Sequence, residues 1–127
     1  AERVVNNVTI GCSPDGLVGD DGGIEIKSHL PKIHLGIVLN DGPLPAEYLQ
    51  IQASLLVTGR AWWDYVAYCE GMHLYVKRIY PDDQAFDDIT AGAAKLEEEI
   101  NGFVEQYRTI IEQNGLLYIE PVEELEV

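Results

Sequence analysis

Residues 13–28 constrain this chain more than any other stretch. Ser13-Pro14-Asp15-Gly16 has the residue preferences of a type I turn, with Pro second and Gly fourth. Leu17-Val18-Gly19 continues as strand, Asp20-Asp21-Gly22-Gly23 turns the chain back, and Ile24 to Ser28 forms the return strand. Strand side chains alternate between two faces, so Ile24 and Ile26 share one and Glu25 and Lys27 the other. Such a hairpin brings two carboxylates, Asp15 and Glu25, and the ammonium of Lys27 within reach of one another.

The flanking sequence predicts what the hairpin is built into. Residues 3–10 are rich in β-branched side chains and read as a strand. Residues 29–44, with Pro31, Gly36, Gly42 and Pro43, read as irregular. Pro45 suits the first turn of a helix that runs from about 46 to 57 and stops at Gly59. On that helix Tyr48, Gln52 and Leu55 share one face, and Gln50 and Gln52, each taken alone, read as surface polar residues. Trp62 to Glu70 and His73 to Tyr80 read as strands joined at Gly71.

The last element is a helix from about Asp83 to Asn114, with Gly115 as its C-cap. Phe86, Ile89, Ala93, Leu96, Ile100, Phe103, Tyr107 and Ile110 step along it by threes and fours, an amphipathic stripe of heptad period. That stripe is expected to pack across the sheet, with a subunit contact as the alternative. The order of elements predicts the α/β (α+β) class: one mixed central sheet flanked by helices, a core over about 3–81, the helix over about 83–114 and an acidic tail at 116–127. A chain of 127 residues suffices for one such domain. Its only Met is Met72, so the chain is expected to begin inside its domain, truncated at the N-terminus.

The net charge of −14 speaks against a nucleic-acid partner until it is located. Residues 82–127 hold thirteen acids against Lys95 and Arg108, a net −11, which leaves −3 for residues 1–81. Asp15 and Glu25 belong to the nearly neutral part, where a bound cation would offset them. No apolar run reaches the roughly 18 residues of a membrane span, and residues 1–3 lack a signal-peptide pattern. Cys12 and Cys69 are expected as reduced thiols, consistent with a cytoplasmic protein. His29, His34 and His73 have no zinc-ligand spacing and read as structural or surface residues.

Magnesium takes hard oxygen ligands and usually only one or two carboxylates. Asp15 and Glu25 meet that need, and the Ile26 backbone carbonyl between Glu25 and Lys27 offers a third oxygen. Lys27 can orient or deprotonate a water, or neutralise charge on a phosphate. Gln52 on the following helix can hold that water or a ligand. Arg60, Lys32, Lys77 and Arg78 are candidates for phosphate contacts.

Ser13-Pro14-Asp15-Gly16-Leu17, Gly23-Ile24-Glu25-Ile26-Lys27, Tyr48-Leu49-Gln50-Ile51-Gln52, Val57-Thr58-Gly59-Arg60 and Trp62-Trp63-Asp64-Tyr65-Val66-Ala67-Tyr68 together resemble the lambda-exonuclease or YqaJ-type viral recombinase branch of the PD-(D/E)XK nucleases. The resemblance implies a restriction-endonuclease-like core and a Mg²⁺-dependent exonuclease, with Mn²⁺ able to substitute, that degrades one strand of a DNA duplex from its 5′ end. It also implies a single-strand annealing protein as partner and a trimeric ring. By position, Asp15, Glu25 and the Ile26 carbonyl would be metal ligands, Lys27 the catalytic lysine and Gln52 the active-site glutamine. Tyr48, with Arg60 and Lys32, would lie toward DNA. The family's leading helices, one with a further acidic residue, have no counterpart here. Two alternatives remain at this point: a repair or restriction endonuclease on the same fold, and a non-catalytic DNA-binding module.

Overall fold

The computed structural model describes residues 2–5 and 8–114. Strands β1 (Glu2–Val5) and β2 (Val8–Gly11) pair antiparallel, where the sequence reads as one strand. Then follow β3 (Gly16–Val18), β4 (Gly22–Ser28), α1 (Pro31–Asn40), α2 (Pro45–Thr58), β5 (Trp62–Tyr68), β6 (Tyr75–Ile79) and α3 (Asp83–Asn114). The four-stranded sheet has the order β3-β4-β5-β6, and only its β4–β5 pair is parallel. A parallel pair needs a long crossover, which α1 and α2 supply. The class is therefore α+β with a mixed sheet. The expected C-cap Gly115 and the tail at 116–127 lie outside the described residues.

Two units divide the chain at Ala93 and Ala94. In the first, β5 alternates strictly. Trp63, Tyr65 and Ala67 are buried and pack with Ile37 of α1, Ile51 and Leu55 of α2, and Ile79 of β6. Burying one such large side chain stabilises by about 1.5–3 kcal/mol. A second cluster joins Ile10, Leu56 and Val57, with Phe86, Ile89 and Ala93 of α3 against it. Arg3 reinforces it by donating from Nη1 to the Leu56 carbonyl at 2.6 Å. In the second unit, Leu96, Ile100, Phe103, Tyr107 and Ile110 are exposed along α3, so only the first three positions of the stripe are packed.

Residues 31–40 are helical, a correction to the irregular reading of 29–44. Pro31 sits in the first turn, where its missing N–H costs nothing. His34 and Ile37, one turn apart, are buried, and His34 Nε2 bonds the His73 carbonyl at 2.9 Å. Tertiary burial outweighs the low propensity of Gly36. Helix α2 ends as its sequence predicts: Gly59 adopts a left-handed φ of 67° and bonds back to the Leu55 carbonyl at 2.9 Å.

Gly22 and Gly23 are where β4 meets the two tryptophans paired with them on β5. A Cβ on Gly23 would lie 2.4 Å from the Trp63 ring, and one on Gly22 2.2 Å from the Trp62 ring. Gly23→Ala is therefore expected to destabilise the domain by about 1–3 kcal/mol, the usual cost of overpacking. A urea unfolding midpoint that does not move would show that the Trp63 ring can yield. On the opposite sheet face, Arg78 lies 3.6 Å over Trp62 and grips Asp64 through two hydrogen bonds of 2.8 and 3.1 Å.

Candidate active site

The hairpin does what its alternation predicts, but its buried side is unexpected. The face with Gly23 and Glu25 turns inward, and Glu25 is only 4% exposed. Ile26, on the other face, is 53% exposed. β3 pairs with β4 only as far as Gly16 opposite Ile24. Beyond that point the β3 backbone leaves the ladder. The Asp15 carboxylate takes its place, accepting from the Ile26 N–H at 2.9 Å. The N–H and C=O of a strand residue point to the same side, so the Ile26 carbonyl also faces Asp15.

Lys27 reaches along its face to Glu25, with Nζ 3.1 Å from Oε1. The same oxygen accepts from Gln50 Nε2 at 3.2 Å. Among the described residues, Glu25 Oε2 and Asp15 Oδ1 take no hydrogen bond. Asp15, Glu25, Lys27 and the Ile26 carbonyl thus converge at one sheet edge. Beside them opens a cleft of about 570 Å³ lined by Glu2, Cys12, Ser13, Gln50 and Ser54, among others.

The donor set suits a hard divalent cation. No group of three His, Cys, Asp or Glu ligands is found among the described residues. A pair of carboxylates, each with an unengaged oxygen, and a backbone carbonyl nevertheless match the few protein ligands that Mg²⁺ accepts while keeping several waters. Burial of Glu25 with one cationic neighbour among the described residues, Lys27, points the same way, since a buried carboxylate calls for compensation.

Gln52 is not in this group, a correction to the sequence reading. Two helical positions are about 200° apart, so Gln50 and Gln52 face opposite ways. Gln52 is fully buried; its amide donates to the Tyr80 carbonyl at 2.9 Å and its Oε1 accepts from the Asp82 N–H at 3.0 Å. It fastens α2 to the β6–α3 connection. Gln50, which is exposed, is the residue that meets Glu25. Two residues apart on a helix, only one of the two amides can face the hairpin.

Four further candidates are engaged elsewhere. Tyr48 donates its hydroxyl to Asp82 at 2.7 Å, which holds that carboxyl below its usual range. The Arg60 guanidinium clasps the hairpin turn through the Gly19 and Gly22 carbonyls at 2.8 and 2.9 Å. Lys77 pairs with Asp41 at 3.7 Å, and Arg78 with Asp64. Lys32 is exposed on α1.

A mixed sheet with paired carboxylates and a lysine on a β3–β4 hairpin defines a nuclease-like fold. Residues 4–61 match the YqaJ-like viral recombinase domain. The structure matches an alkaline exonuclease, LHK-Exo from Laribacter hongkongensis, with a TM-score of 0.73 and 30% identity, over 80% of this chain and 54% of that one. The same enzyme in complex with dAMP matches with the same TM-score, 0.73, identity, 30%, and coverage, 80% and 54%. No curated protein sequence matches significantly. Over residues 4–61 this chain is thus similar to the YqaJ-like viral recombinase domain, and it spans about half the length of the exonuclease chain it matches.

Proposed function

We propose that the protein of which this chain is part is a Mg²⁺-dependent exonuclease that removes one strand of duplex DNA from its 5′ end. The observation that carries this reading is the convergence of Asp15, Glu25 and Lys27 around the Ile26 peptide, in a fold similar to an alkaline exonuclease. Mn²⁺ is expected to substitute for Mg²⁺. The 3′ overhangs so produced suit recombination in a bacterial or phage-infected cytoplasm, with a single-strand annealing protein as recipient. A trimer would be consistent with the resemblance. No helix among the described residues is long and apolar enough to cross a membrane.

Asp15, Glu25 and the Ile26 carbonyl would hold the cation, which when bound supplies Lewis acidity toward water and phosphate. The chain's own groups do the rest. Lys27 places a positive charge beside Glu25, where it can orient an attacking water or neutralise a phosphoryl oxygen. Gln50 fixes the Glu25 carboxylate through one oxygen and leaves the other turned free. The cleft beside Ser13 and Gln50 is roomy enough for a nucleotide.

The test is cleavage by the complete protein of a linear duplex labelled at either 5′ end, with Mg²⁺ and with EDTA. The expected result is Mg²⁺-dependent release of the 5′ label as mononucleotides, with the complementary strand retained. Two intact strands would overturn the reading. Nicking of closed circular DNA would instead establish an endonuclease.

A further inference from the structure

The Gln50 amide meets Glu25 only if the first turns of α2 lie correctly against β4 and β5. One turn before Gln50, Glu47 projects into a polar hub that the hairpin chemistry does not use. Glu47 Oε2 lies 2.8 Å from His29 Nε2. Its Oε1 accepts from the Tyr65 hydroxyl at 2.6 Å and, more weakly, from the Leu44 N–H at 3.4 Å.

Each partner belongs to an element that frames the site. His29 follows β4, two residues beyond Lys27, and its N–H bonds the Tyr68 carbonyl at 3.0 Å. Tyr65 is the register partner of Glu25 on β5. Leu44 caps α2 itself. The hub is dry: the side chains of His29 and Glu47 are 8% and 13% exposed, and Tyr65 is fully buried. Burial, then the Glu47 hydrogen bond, pushes the Tyr65 phenol far up, so it remains a donor at any ordinary pH. His29 Nδ1 is buried without a partner among the described residues, which leaves Nε2 as the ring's polar anchor.

Stability alone does not account for such a hub. Apolar groups of similar size commonly serve as well as buried polar or ionic contacts, or better. A carboxylate with directional bonds to Tyr65 on β5 and to His29 just beyond β4 supplies a defined register instead. We propose that Glu47 is a positioning residue: through His29 and Tyr65 it locks the start of α2 to β4 and β5, and thereby holds the Gln50 amide on Glu25. Its consequence for cleavage rests on the nuclease reading above. The positioning itself does not.

The test uses ¹⁵N-labelled protein, with the Gln50 side-chain amide signals assigned by their loss in Gln50→Ala. In the unaltered protein they should be shifted from free-amide positions and exchange slowly. Glu47→Gln, and independently Tyr65→Phe, should return them toward free-amide positions while the circular dichroism spectrum is retained. In the complete protein, Glu47→Gln should lower kcat about tenfold at unchanged KM, and should add nothing in a Gln50→Ala background. Gln50 signals that stay in place in both variants would overturn the proposal, as would kinetic effects that simply add. Gln50 signals that move in a protein unable to cleave DNA would support the positioning and reject the nuclease reading.

Discussion

Lys27→Ala is expected to lower the cleavage rate of the complete protein by about 10²–10⁴-fold, the range usual for loss of a positioned acid–base group. Mn²⁺ affinity, measured by calorimetry, should fall little or rise. The reason is the geometry at Glu25. Lys27 Nζ and Gln50 Nε2 share its Oε1 at 3.1 and 3.2 Å, so removing the ammonium withdraws a competitor for the cation without removing a ligand. Lys27 is half-exposed, so its truncation leaves no cavity in the core. Loss of metal binding in this variant would mean that the lysine's role is to hold Glu25 in place.

Glu25→Gln separates the two roles from the other side. The amide matches the carboxylate in size but lacks its charge, and it is a poor ligand for a hard divalent ion. Mn²⁺ binding should become undetectable under conditions in which the parent saturates, and cleavage should be lost with it. The fold should survive. A buried carboxylate carries a desolvation cost of several kcal/mol, so its neutral isostere is expected to hold or raise the melting temperature. Undiminished Mn²⁺ binding by a folded Glu25→Gln protein would remove the cation from this site. Asp15→Asn is the companion variant. It keeps an acceptor for the Ile26 N–H while removing the second charge.

The placement of the two carboxylates and the lysine was legible because it depends on local geometry. A Pro and Gly at the right turn positions, an acidic turn with two glycines, and a two-residue alternation suffice to place Asp15, Glu25 and Lys27 near one another. The tryptophan-rich strand, the Gly59 stop and the whole of α3 were legible for the same reason. α1 was hidden because its signals are not local. Pro31 and Pro43 bracket the segment and read as loop residues, though Pro31 only opens the helix, and the low propensity of Gly36 is outweighed by contacts of His34 and Ile37 with distant elements. Gln50 and Gln52 show the same limit at the site. Two amides two residues apart on a helix cannot face the same way, and what selects between them is the attachment of Gln52 to the Tyr80 carbonyl and the Asp82 N–H.

By itself, the sequence determined the hairpin, its alternation and the charge partition that leaves its surroundings nearly neutral, since turn chemistry and strand period act over a few residues. Which hairpin face is buried was decided by tertiary structure. Ile24 and Ile26 suggest an apolar inner face, yet Glu25 is enclosed and Ile26 exposed. The physical reason is the parallel pairing of β4 with β5, which sets Gly23 beside Trp63 and Glu25 beside Tyr65 under α2. That pairing also gives Glu25 its partner on α2, Gln50, and gives Glu47 its hold on β5 and on His29 just beyond β4.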